Sequence, residues 1–260
     1  ALPRAAGAVD VENRGGGRGV GRRAVRERRR ATAMAERERS CVAFARGAFL
    51  GWRDACRALT HMMEALPGSR RTVVHSGCID VLCAKLMTIE YIDLAEQSLQ
   101  ALEKLSQDHG GSCLREGGMM ACLSYLDFFS LGMQRVALQT AANICRQLPA
   151  SDCWDQLSDS VPVLTNLLMH DDSRLVESAC TCLTLMASNF SARPQRLRAM
   201  CAHGLIPNAT RLISPGASQV GPSTYHGLIR LIGTCCRGSA DVAEEPEKAP
   251  ASVVVGCLYD

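Results

Sequence analysis

The chain has 260 residues, 47% hydrophobic, 4% aromatic and 21% charged, enough apolar material for a sizeable core, which excludes a wholly disordered chain. No run approaches the ~18 apolar residues of a membrane-spanning helix, so no membrane partner is expected. The net charge of +3 is uneven: residues 1–46 carry 12 Arg against 5 acidic residues, and residues 47–260 carry 17 basic against 21 acidic, so the part that can fold lacks the cationic surface that specific nucleic-acid binding requires.

Residues 1–46 mix Arg, Gly and Ala, with the runs Gly15-Gly16-Gly17 and Arg28-Arg29-Arg30 and no sustained apolar period. They read as a disordered basic tail, with a nuclear-localisation arm, an RNA-contacting arm and an organellar transit peptide as functional alternatives to a simple solvated extension. From residue 47 to residue 237 apolar residues recur at i, i+3, i+4 and i+7 in segments of ten to fifteen residues, without strand alternation, and the fold class is all-α. Short helices are predicted at Ile79–Met87, Met119–Leu126, Val161–Met169 and Leu205–Ile213, each followed by a longer one. Gly77, Gly117 and Gly204 stand where a tight helix-to-helix turn needs positive φ.

The long helices repeat. Ala58, Ser98, Ala137 and Ala179 recur at spacings of 40, 39 and 42 residues, and Met62, Leu102, Ala141 and Leu183 follow each by four; a fifth copy runs to Cys236 after an insertion at Ser214–Ser223. A period near 40 with two or three helices per unit is the armadillo/HEAT class, an α-solenoid in which units stack into a right-handed superhelix because none can bury its apolar stripe alone. The small residue fits a close approach between neighbouring long helices. Residues 238–260 read as an acidic Pro/Ala linker and a divergent end.

Fourteen cysteines without Cys-x-x-Cys spacing or a secretory signal point to free thiols packed as small hydrophobes in a reducing compartment, nucleus and cytoplasm, with no metal site and no cofactor. His61 and His203 read as structural, no catalytic constellation stands out, and Tyr125, Phe128 and Phe129 read as core aromatics at a helix end, with Asp127 as a possible rim.

The wording of the repeats is itself specific. Arg57-Ala-Leu-Thr-His-Met-Met-Glu-Ala-Leu-Pro67, the stretch from Thr88 to Leu102, Leu123-Ser-Tyr-Leu-Asp-Phe-Phe-Ser130 and Ser223-Thr-Tyr-His-Gly-Leu-Ile-Arg-Leu-Ile232 closely resemble the armadillo region of HECT-type ubiquitin ligases, above all the plant trichome-controlling type and its animal thyroid-receptor-interacting relative; the resemblance covers roughly residues 55–238. It implies a partner-recognition solenoid in a large enzyme whose separate HECT domain receives ubiquitin from a conjugating enzyme as a thioester. Thr234-Cys235 imitates only the first two letters of the HECT cysteine motif and lies inside the fifth repeat, so no catalytic residue is assigned and the HECT domain is expected outside this chain, a fragment. A non-enzymatic adaptor of the importin or catenin kind is the alternative.

In either case protein substrates or adaptors are expected on the concave face. The candidate contact stripe runs through Gln100 and Lys104, Gln139, Asn143 and Arg146, then Thr181 and Leu185. Of the Trp and Asn ladder seen in importin-α-like proteins only Asn143 matches. Truncating Gln139 and Asn143 together is expected to weaken partner binding and leave the helical melt nearly unchanged.

Overall fold

The computed structural model describes residues 51–89, 91–214 and 220–238, so the tails expected at 1–46 and 238–260 lie outside the described residues, except for Gly238, which ends the last helix. All regular structure among the described residues is helical: α1 (Trp52–Ala65), α2 (Ser69–His75), α3 (Cys78–Met87), α4 (Ile92–Arg115), α5 (Gly118–Leu123), α6 (Leu131–Arg146), α7 (Ser160–Leu167), α8 (Ser173–Asn189), α9 (Pro194–Cys201), α10 (Leu205–Ile213) and α11 (Pro222–Gly238), with 3₁₀ turns at Leu126–Phe128 and Trp154–Gln156. None of these helices is long and apolar enough to cross a membrane.

The long helices α1, α4, α6, α8 and α11 pack in series, each against the one before and the one after, while the short helices cover one side of that row. A unit therefore has three parts: a first short helix, a second short helix and a long third. The sequence shows the second and third. The first helix, α2 or α9, is only seven or eight residues long with few apolar positions, so its period is too brief to read. In the third unit it shrinks to the 3₁₀ turn at Trp154–Gln156. In the second unit it is fused to the long helix before it, because α4 runs on to Arg115 through a break at His109 (φ −127°, ψ 36°).

Gly77, Gly117 and Gly204 have φ of 72°, 75° and 77° and each opens a second helix, as their spacing requires. The corresponding Asp159 before α7 has φ −72°, consistent with the reduced first helix of that unit.

Leu59, Leu99, Leu102, Leu138, Leu183 and Leu231 lie fully buried between successive long helices, each contributing ~1.5–3 kcal/mol of burial. The small position lies beside them, with one correction. Ala58 is exposed, and Ala55 is the buried residue one turn earlier. The register is fixed by Trp52, whose indole Nε1 donates to Ser98 Oγ at 3.0 Å, and by Cys56 Sγ at 3.9 Å from the same hydroxyl. The structural series is thus Ala55, Ser98, Ala137, Ala179 and Gly227, and a Cβ placed on Gly227 would come within 3.1 Å of Cys180 Sγ.

The break at His109 is held by the next unit. Gly110 N–H donates to Gln147 Oε1 at 2.8 Å, and Gln147 Nε2 donates to Ser106 O at 3.0 Å and Gln107 O at 2.9 Å. One side-chain amide thus bonds a backbone donor and two backbone acceptors around the break. Glycine is required at 110 by proximity, since a Cβ there would stand 2.8 Å from Asn143 O.

Candidate partner-binding stripe on the long helices

Each long helix buries one flank against its neighbours and the short helices, which leaves a strip of side chains along the row. Gln100 and Thr181 are half-buried on this strip, and Gln139 and Arg146 are exposed. Gln100 Nε2 reaches Met133 Sδ on the next helix at 3.8 Å, a weak tie that leaves its carbonyl oxygen open. Lys104 Nζ lies 3.4 Å from Glu64 Oε1 of α1 and 3.4 Å from Glu103 Oε2 of its own helix. His61 Nδ1 approaches Glu64 at 3.5 Å from an exposed position. Thr181 Oγ1 donates to Glu177 O at 2.9 Å, which leaves the hydroxyl as an acceptor toward solvent.

Asn143 departs from its expected place. It is 8% exposed; its Nδ2 donates to Ser106 Oγ on α4 at 3.0 Å, and its Oδ1 accepts from Gln139 Nε2 at 3.0 Å and Arg146 Nη1 at 2.9 Å. Its amide is committed to holding α6 against α4 just before the break at His109. The expectation that Gln139 and Asn143 can be truncated together without loss of stability is therefore corrected: a buried amide bonded through both its nitrogen and its oxygen is a structural bracket. Leu185 is half-buried against the core. Gln147, absent from the candidate stripe, is the more consequential polar residue and caps the C-terminal end of α6. Its only sequence signal is a place four residues after Asn143, at the end of an apolar helix.

The polar groups of this strip offer hydrogen bonds and charge. Twelve described cysteines are free, ten of them buried. Burial pushes the thiols of Cys56, Cys83 and Cys113 up to about 12 and that of Cys180 to about 11. Cys235 has no exposed surface, and a hydrogen bond with Cys201, then burial, raises its pKa far above that of a free thiol. Thr234 Oγ1 donates to Arg230 O at 2.8 Å, so the Thr-Cys pair is spent in helix packing. Among the described residues no group of three or more His, Cys, Asp or Glu is placed to hold a metal. The aromatic expectation is corrected as well: Phe129 is core, but Tyr125 is half-buried and Phe128 is 69% exposed.

A row of three-part helical units with a long third helix defines an armadillo-type repeat protein. Solved structures agree: computationally designed armadillo repeat proteins for modular peptide recognition superpose with a TM-score of 0.67 at 13% identity, covering 85% of this chain and 90% of theirs, and a designed armadillo repeat protein, YIII(Dq)4CqI, gives 0.65 at 13% identity, covering 84% and 90%. The family described as "E3 ubiquitin-protein ligase TRIP12-like, TPR repeats" matches residues 54–115. A TPR unit has two helices in about 34 residues; the third helix and the longer period here make the units armadillo-like.

Curated relatives are full ligases. The chain is 54% identical over 190 residues to E3 ubiquitin-protein ligase UPL3 of Arabidopsis thaliana, covering 71% of this chain and 10% of that protein. It is 39% identical over 182 residues to E3 ubiquitin-protein ligase TRIP12 of Danio rerio, covering 70% and 9%. The array is therefore related to the repeat region of HECT-type ubiquitin ligases, as its wording implies, and it spans about a tenth of the length of these relatives.

Proposed function

We propose that this array is the partner- or substrate-recognition region of a HECT-type ubiquitin ligase, and that it holds a protein segment along the strip of Gln100, Gln139, Arg146 and Thr181 on the concave side of the row. The observation that carries this reading is the 54% identity to UPL3 across the repeats. The side chains support it: the side-chain oxygens of Gln100, Gln139 and Thr181, one per unit, remain as acceptors suited to the backbone N–H groups of an extended chain. Lys104 contributes charge beside Glu64 rather than a free cation. The free thiols suit the reducing setting of nucleus and cytoplasm.

The test is a triple substitution, Gln100→Ala, Gln139→Ala and Thr181→Ala, which leaves the bracket at Asn143 intact. Affinity for a partner mapped to the array by cross-linking is expected to fall about tenfold or more, with the circular-dichroism melt unchanged. Unchanged affinity identifies the strip as the wrong surface.

Ubiquitin transfer is assigned to sequence other than these repeats. The purified 260-residue chain is expected to form no ubiquitin thioester with ubiquitin-loaded conjugating enzyme, because the thiol of Cys235 is buried and protonated. A reducible adduct that disappears in Cys235→Ser would overturn this.

A further inference from the structure

Eight large hydrophobic side chains are exposed among the described residues, and six of them fall at equivalent places in successive units: Met87, Tyr91, Ile92, Phe128, Leu131 and Met169. All six sit in or beside the connections between second and third helices of three consecutive units, hence along one edge of the solenoid rather than on the strip described above. The connections are tied into one surface. Tyr125 O–H donates to Met87 O at 3.3 Å across the first pair of units, and its ring stands 6.1 Å from that of Phe128. Arg135, in the second turn of α6, pairs with Asp172 in the third connection. Phe128 is 69% exposed and Tyr91 64%, although aromatic residues make up only 4% of the sequence. Rigid aromatic side chains held outward by a bonded frame are the usual anchors of protein contacts, and an apolar edge with this degree of exposure marks an interaction site.

Charge selects the occupant. The described residues of 88–91, 124–130 and 168–172 include Asp127, Asp171 and Asp172 and no Lys or Arg. Asp172 is taken up by Arg135 and by the start of α8, and Asp93 by Arg53 at 3.5 Å. Asp127 and Asp171 are exposed and stand outside the ion pairs found among the described residues. We propose that this edge is a second docking surface, and that it takes a protein segment presenting aromatic or aliphatic side chains flanked by lysine or arginine. The apolar side chains cover Tyr91, Phe128 and Met169, and the cations meet Asp127 and Asp171 at the rim, where they set orientation and encounter rate more than affinity.

The test pans a phage-displayed library of short random peptides on the full 260-residue chain and measures the enriched peptides by fluorescence anisotropy. Enrichment of aromatic or aliphatic residues next to Lys or Arg is expected. Affinity should fall about tenfold or more in Phe128→Ser with Tyr91→Ser, and less in Asp127→Lys, with the wild-type affinity weakening as salt is raised. Both aromatic positions are exposed, so these variants keep the fold. Gln100→Ala with Gln139→Ala should leave the same peptides bound, which separates this surface from the strip. The proposal is overturned by enrichment of acidic or uncharged peptides, by no enrichment at all, or by binding that survives Phe128→Ser with Tyr91→Ser. It is also overturned if the chain sediments as a dimer that Phe128→Ser dissociates, since the occupant would then be a second copy.

Discussion

Gln147 shows how one side chain can decide a junction. Its amide bonds Gly110 N–H, Ser106 O and Gln107 O, three backbone groups that flank the break at His109. We expect Gln147→Ala to destabilise the fold by about 1–3 kcal/mol in urea titration, since partly buried backbone groups lose their bonds. Gln139 is exposed and donates only to Asn143, so Gln139→Ala should stay within about 0.5 kcal/mol of wild type. Equal losses in the two variants would mean that the bracket carries no special weight. Asn143 belongs with Gln147 in this respect, because its amide faces the previous helix through Ser106.

At the level of elements, Asp172 joins two tasks at the start of α8. Its Oδ1 accepts from Leu175 N–H at 3.1 Å, the N-cap bond, and the carboxylate pairs with the Arg135 guanidinium of α6. The bond from Arg135, with help from backbone N–H groups, holds the Asp172 carboxyl below the ordinary aspartate range. A carboxyl with a depressed folded-state pKa adds stability that is complete above its unfolded value, near 4. That stability is lost as pH falls through the lower folded value. Stability from this pair should thus be full at pH 7 and fade below about pH 4. Asp172→Asn keeps a capping acceptor but not the charge, so its urea midpoint should change less with pH across that range; a pH dependence identical to wild type would remove the pair from the account.

Much of this level was legible in the amino-acid sequence. The second and third helices of each unit, the turn glycines and the repeat period follow from apolar spacing. The short first helices do not, because a seven-residue helix such as α2 shows no full period. The register of α1 was also hidden: Ala58 and Ala55 are equally small, and only the reach of Trp52 to Ser98 selects between them. For the stripe, spacing finds which residues share a face, but it cannot reveal that Asn143 is turned inward by Ser106 or that Phe128 is turned outward by the 3₁₀ turn at Leu126–Phe128.

As a whole molecule the array is close to one-dimensional, since each long helix touches only the units beside it. Stability in such a row is a sum over units and junctions, so damage to one junction need not spread. Ser98→Leu adds bulk at the point where α4 meets Trp52 and Cys56, and overpacking there should weaken that junction by ~1–3 kcal/mol. The buried cysteines turn this into something that can be timed. They are distributed along the row, with Cys56 in α1, Cys145 in α6 and Cys182 in α8, and each is buried while its own neighbours stay in place. In the folded chain at neutral pH, alkylation among the described residues should begin at the half-exposed Cys201 and Cys236. In Ser98→Leu, mass spectrometry of digests should find Cys56 modified well ahead of Cys145 and Cys182; simultaneous modification of all three would mean that the row opens as a single unit. The abundance of cysteine thereby equips this protein with an internal set of clocks, one for almost every unit.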